Sequence, residues 1–351
     1  MKFHKVVNAN VVSSSIANFG GDPSRITLFG QSAGGASVEW VTTLVWNGET
    51  QWLLPSFRNF REIFPHSCSE LTYRFYSIYS YAWESDPIVA GFIPQSGLAQ
   101  LETDNALTAG LRWYEAVAAL GCGSILSSNA SILACMRALD VNAIETAISS
   151  LSAFIPIIDD VIVFSDYPAR ELAGNFTLKP VLLGHNNYEA GLFIVLEAMQ
   201  NITLPDAVWD SLQTSIYFCP AAARANVSVY HDLPVWRYRY FGDFPNMQLV
   251  EDWYTGAFHG SEVFALFDQF PSGEGVPVTT SQQASIASYM RGAWAAFAQD
   301  PVSGLTNYGW PVFDPKEDTL IRIGYQNETG TNATSATAYD SSCGTIFAAY
   351  Q

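Results

Sequence analysis

Positive charge is scarce in this chain: 16 lysines and arginines stand against 33 aspartates and glutamates, a formal net charge of −17. An acidic coat of that size repels phosphate backbones and anionic lipid, which argues against nucleic acid and such membranes as partners. Long apolar runs are missing too. None approaches the roughly 20 residues that a membrane-spanning helix requires, so no transmembrane segment is expected. No pairing of cysteine and histidine has the spacing of a zinc site, no metal is expected, and no internal repeat is visible. What remains is a chain of 351 residues, 49% hydrophobic and 14% charged, able to bury a substantial core.

Cysteine is limited to Cys68, Cys122, Cys135, Cys219 and Cys343. Cys122 and Cys135 bracket a short stretch that suits a local disulfide loop. Cys219 and Cys343 form a second candidate pair, leaving Cys68 as the odd thiol. Six Asn-x-Ser/Thr sequons, at Asn129, Asn175, Asn201, Asn226, Asn327 and Asn332, point to the secretory pathway and a secreted parent protein. Residues 1–15 nevertheless make a poor signal peptide, because Asn8 and Asn10 interrupt the apolar stretch.

The most informative residues are Gly30-Gln31-Ser32-Ala33-Gly34. Residues 26–29 read as a short buried strand, and a helix starts at Ala33. A serine between them sits on a strained turn that presents its hydroxyl, and small residues at 30 and 34 keep the turn free of clashes. This is the nucleophile elbow of an α/β-hydrolase, with the Ala33 N–H as one oxyanion donor. Strands are expected at 89–94, 180–184 and 235–241, and helices at 107–120, 131–139 and 285–297. The fold class is therefore α/β, a mostly parallel sheet flanked by helices.

Serine needs a base, and the base needs an acid to orient it. In this fold the acid follows the serine in the chain and the histidine comes last. Glu189 leaves the 180–184 strand through Gly184-His185-Asn186-Asn187-Tyr188, where a parallel sheet presents its functional loops. Of the two downstream histidines, His259 has the better loop context. His231 reads as a solvated loop residue, and His185 as a surface residue or a support for the acid loop.

At these positions the chain resembles the type B carboxylesterases, which include cholinesterases and fungal secreted lipases. Residues 19–34 are similar to the family signature almost throughout. The family's Gln-Ser-Gly element recurs at Gln95-Ser96-Gly97, its acid loop at 184–189, and its His-Gly-x-Glu loop at 259–262. The resemblance implies an ester hydrolase with Ser32 as nucleophile, Glu189 as acid and His259 as base. It makes Ser96 a supporting hydrogen-bonding residue, pairs Cys122 with Cys135 and Cys219 with Cys343, and implies a small-molecule or lipid ester as substrate with no cofactor.

Three departures qualify that expectation. The elbow comes only about 30 residues into the chain, and residues 1–18 hold no glycine loop to complete the oxyanion hole. The expected architecture is thus one domain over 1–351, incomplete in its N-terminal strands. Residues 41–78 form an anomalous insert without periodicity, read as translated intron or as a lid loop. Asp160 stands where the family often has glycine, and Ala190 is inserted before Gly191. A catalytically silent binding module and a non-functional fragment remain the competing functional readings. Joining Glu39 to Tyr79 restores a family-like segment, so transcript sequencing across this junction is expected to show 41–78 spliced out. A continuous transcript that retains the insert would defeat the intron reading.

Overall fold

In the computed structural model, residues 12–43, 89–99, 103–149, 154–160, 163–251 and 253–350 are described. Of the 41–78 stretch, only the helical residues 41–43 fall among them; the rest, with Cys68, lies outside the described residues. The chain divides into two compact units, one of residues 1–101 with 166–351 and one of residues 102–165.

The larger unit holds a six-stranded sheet. Strands β1 (Ile26–Gln31), β2 (Val89–Gln95), β3 (Val181–Asn186), β4 (Val235–Tyr240) and β5 (Leu320–Ile323) run parallel in sequence order, and β6 (Ala333–Thr334) pairs antiparallel with β5. All six positions of both β3 and β4 are buried; β3 opens as an unbroken apolar run, whereas β4 alternates Trp236, Tyr238 and Tyr240 with Val235, Arg237 and Arg239. Side chains still divide between two faces. Leu182, Trp236, Tyr238 and Tyr240 join Ile286, Met290, Trp294 and Phe297 of the helix Ser281–Gln299 in one core. Val181, Leu183 and Val235 pack on the opposite face with Val38, Ala221 and Ala225. The helix Ser281–Gln299 begins earlier than its apolar pattern suggests, because Thr280 and Gln283 cap its start reciprocally.

The smaller unit contains the helices Ala106–Ala119, Asn129–Ala138 and Val141–Ser149. Asn105 and Ser128 cap the first two by accepting from the backbone N–H groups of Thr108 and Ser131. A small core of Val117, Ile132 and Met136 is stapled by the Cys122–Cys135 disulfide. Asp160 has φ 50°, the left-handed conformation for which glycine is the least strained residue. The second expected disulfide, Cys219–Cys343, is also formed, in the larger unit.

The solvated-loop reading of His231 and the surface reading of His185 need correction. His231 ends the helix Cys219–Tyr230 and is half-buried; its Nε2 lies 2.6 Å from the Glu171 carbonyl oxygen and its ring meets Phe176 edge-on. His185 is not at the surface. It is 1% exposed and stacks on Phe218, and burial together with the Arg239 and Arg237 charges holds its imidazole well below the usual range. Local sequence could not reveal either environment, since Glu171 and Phe176 enclose His231 and Phe218 covers His185, all of them distant in the chain.

A charged cluster lies inside the same unit. The Arg224 guanidinium donates to Glu39 Oε1 at 2.6 Å and to Ser228 Oγ at 2.8 Å, with Glu171 Oε1 at 4.0 Å, and all three charged residues are fully buried. Two carboxyls thus share one guanidinium. Burial pushes the Glu171 carboxyl up to about 7; Arg224 opposes the shift, the Glu39 charge adds to it, and the Tyr350 hydroxyl, donating at 2.5 Å, opposes it. A carboxyl with a raised folded value stabilises the fold fully below its unfolded value, and that stability is lost as pH rises through the folded one. The melting temperature of Glu171→Gln is therefore expected to fall less than that of the parent between about pH 5 and pH 8. Parallel melting curves for the two proteins across that range would refute the assignment.

Candidate active site

The site is assembled at the carboxyl ends of β1, β2 and β3. Ser32 follows β1 directly and has φ 58°, a left-handed conformation that costs an L residue about 1–2 kcal/mol. Backbone contacts hold it there. Its N–H donates to the Gln95 carbonyl at 2.9 Å and its carbonyl accepts from Ala36 N–H at 3.0 Å. Glycine is required at three places around this turn. A Cβ on Gly30 would lie 2.5 Å from the Gly34 carbonyl oxygen, one on Gly35 2.6 Å from that of Gly97, and one on Gly97 2.0 Å from that of Ser32. Ala33 opens the following helix, Ala33–Thr43, where the first N–H groups have no acceptor within the helix.

The neighbouring strand end repeats the device. Ser96 follows β2 with φ 45°, and its hydroxyl donates to Glu189 Oε1 at 2.7 Å. The Asn186 N–H at the end of β3 donates to the same oxygen, also at 2.7 Å. Oε2 of Glu189 lies 2.6 Å from Nδ1 of His259. Glu189 is fully buried and His259 is 7% exposed. The two loops are joined by their backbones as well, through Tyr188 N–H to the Ala257 carbonyl at 3.0 Å. Gly191 makes that approach possible, since a Cβ there would lie 2.2 Å from the Thr255 carbonyl oxygen. An ionised carboxylate can only accept, so Nδ1 carries the proton and the neutral ring presents its lone pair at Nε2.

Glu189 and His259 are therefore in direct contact, and Ser96 is tied to the same carboxylate. Ser32 is not yet engaged: among the described residues its Oγ makes no hydrogen bond. His259 Nε2 lies instead 3.3 Å from the side-chain nitrogen of Gln31. Two aromatic rings flank the imidazole, Phe193 at 5.2 Å and Tyr217 at 5.0 Å between centroids. Tyr217 belongs to a π-helical turn, Thr214–Phe218, immediately before the disulfide-bonded Cys219. Nothing in the residue pattern marks that turn.

Glu262, the last residue of the His-Gly-x-Glu loop, is fully buried. It accepts from Asn186 Nδ2 at 2.5 Å and from Gln95 Nε2 at 3.3 Å. Burial, followed by the Glu189 charge, pushes its carboxyl up to about 7 against the pull of the Asn186 hydrogen bond. Asn186 thus bridges the two carboxyl groups, with its backbone on Glu189 and its side chain on Glu262. Motif spacing alone did not reveal this role.

The model of the carboxylesterase family matches residues 9–49 and 198–341, which takes in the elbow and the histidine loop. The chain belongs to the carboxylesterase family. It is 27% identical over 330 residues to chlorogenic acid esterase of Aspergillus niger, an alignment covering 88% of this chain and 55% of that protein. Secreted lipase 5 of Gibberella zeae is 26% identical over 344 residues, covering 90% of this chain and 55% of the lipase. The chain spans about half the length of these curated relatives. Among solved structures, a PNB esterase superposes with a TM-score of 0.63 at 18% identity, covering 91% of this chain and 64% of that one. A second PNB esterase structure gives a TM-score of 0.65 at 17% identity, covering 94% and 64%. The carboxylesterase chain described here accordingly has the α/β-hydrolase fold, and no described helix is long and apolar enough to cross a membrane.

The contact between the Gly97 position and the Ser32 carbonyl yields a direct test. Gly97→Ala forces backbone away from backbone and is expected to destabilise the protein by about 1–3 kcal/mol. Denaturant unfolding measures it, and an unchanged midpoint would show that the elbow does not depend on this approach.

Proposed function

We propose that this chain carries the chemistry of a serine ester hydrolase, with Ser32 as nucleophile, His259 as general base and Glu189 as the acid that orients it. The observation that carries the reading is the buried contact between His259 Nδ1 and Glu189 Oε2 at 2.6 Å, at the sheet edge where Ser32 occupies its left-handed turn. In the reaction Nε2 of His259 takes the Ser32 proton as Oγ attacks the ester carbonyl carbon. The Ala33 N–H donates to the oxyanion. Collapse of the tetrahedral intermediate expels the alcohol, which takes the proton back from His259. Water then attacks the acyl-enzyme by the same route, releasing the acid and regenerating Ser32. Ser96 and Asn186 hold the carboxylate, and the chemistry calls for no cofactor.

The relatives' names make chlorogenic acid and lipid esters the first substrates to test. The proposal includes secretion and N-glycosylation. Asn129, Asn175, Asn201 and Asn327 are exposed and suit glycan attachment. Asn226 is half-buried between the buried Ala225 and Val227, and Asn332 Oδ1 is held by Arg322 Nη2 at 2.5 Å. The chain is treated as one carboxylesterase domain with 41–78 as an insert.

One observation favours a catalytically silent binding protein instead: Ser32 Oγ makes no hydrogen bond to His259 among the described residues. A fluorophosphonate probe separates the two readings. The hydrolase is expected to be labelled at Ser32, with labelling lost in Ser32→Ala and ester turnover reduced by several orders of magnitude. A folded protein that stays unlabelled would favour the silent reading.

A further inference from the structure

The imidazole of His259 has one lone pair to offer. Its Nδ1 proton is committed to Glu189, so the neutral ring accepts only at Nε2. The group found there is the Gln31 side-chain nitrogen at 3.3 Å, an amide with two N–H donors. We propose that Gln31 is a positioning residue that competes with Ser32 for Nε2 of His259. This inference rests on His259 acting as the base.

Gln31 is well placed for the part. It is the last residue of β1, in register with Gln95 of β2, and its backbone is fixed between Gly30 and the strained Ser32. Gly260 leaves room beside it: a Cβ at that position would lie 3.5 Å from the Gln31 amide nitrogen. The other groups facing the imidazole are the Glu189 carboxylate at Nδ1, the rings of Phe193 and Tyr217, and the Glu262 carboxyl within electrostatic reach. Among these contacts, the Gln31 amide is the one at Nε2.

While that amide donates to Nε2, the Ser32 hydroxyl cannot, and the nucleophile is idle. Activation requires the side chain to swing aside, a rotamer change that forfeits one hydrogen bond. Once the ring becomes imidazolium both nitrogens are donors. An amide turned over then offers its carbonyl oxygen to the Nε2 proton, so the same residue holds both protonation states of the base.

Nitrogen NMR of the imidazole, with 15N-histidine incorporated into the full chain, tests this at a fixed pH where the ring is neutral. In Ser32→Ala the Nε2 resonance is not expected to move, and in the double variant Ser32→Ala/Gln31→Met, which removes both donors, it is expected to move downfield from its place in Ser32→Ala. Movement in Ser32→Ala, or none between Ser32→Ala and the double variant, would overturn the inference. Should that double variant fail to fold, Gln31→Leu in the Ser32→Ala background removes the same donors, and an unmoved resonance there would also overturn it. Fluorophosphonate labelling of Gln31→Met is expected to run about two- to tenfold faster than in the parent, the equivalent of one net hydrogen bond; slower labelling would count against competition. Absence of labelling in every form, with the NMR shifts as expected, would remove the hydrolase reading and leave the Gln31–His259 contact standing.

Discussion

A carboxylate with no access to water has to be satisfied on all sides, and Glu189 is the group around which the site is organised. One of its oxygens takes hydrogen bonds from the side chain of Ser96 and the backbone of Asn186, and the other faces His259. Those partners stand after β2, at the end of β3 and in a loop 70 residues further along. Burial gives the arrangement its rigidity, because removing any partner costs a buried carboxylate a hydrogen bond that water cannot replace. The sheet aligns the strand ends, and the carboxylate makes their alignment a chemical requirement.

A second layer extends the same logic. Asn186 reaches from Glu189 to Glu262, Glu262 accepts from Gln95, and Gln95 accepts from the Trp294 indole at 3.2 Å. Trp294 belongs to the core beneath the sheet. Packing and the geometry of the site are thereby one connected structure, in which burial and the Glu189 charge both favour the protonated form of Glu262. The Cys219–Cys343 disulfide braces the other side, at the foot of the π-helical turn that sets Tyr217 against the imidazole.

Much of this was legible in the residues, and the boundary of legibility has physical causes. The elbow could be read because its strand, its serine and its glycines lie within ten residues and obey local steric rules. The β3 strand was visible because burial on both faces favours a continuous apolar run, and β4 because its aromatic residues recur at every second position. Glu189 and His259 emerged from chain order and loop context. What escaped depends on contacts distant in sequence. His185 looks like a polar loop residue until Phe218 covers it, and Glu171 looks like a surface acid until Arg224, Glu39 and Tyr350 enclose it. The helix Asp206–Gln213 and the π-turn that follows carry no local motif, and the Gln31 amide acquires meaning only when the histidine loop arrives beside it.

The three glycines that surround Ser32 carry a consequence for how such a site diverges. Because Gly30, Gly35 and Gly97 let main chain rest against main chain, the orientation of the serine depends on what is missing at those positions rather than on the identity of the side chains nearby. Neighbouring residues are then free to drift without moving the hydroxyl. Restraint of this kind is sharp, since a single methyl group at any of the three would meet main chain at 2.0–2.6 Å. A serine turn framed by such vacancies can stay recognisable while the residues around it change, and it offers a rigid anchor around which altered pockets could be built by design.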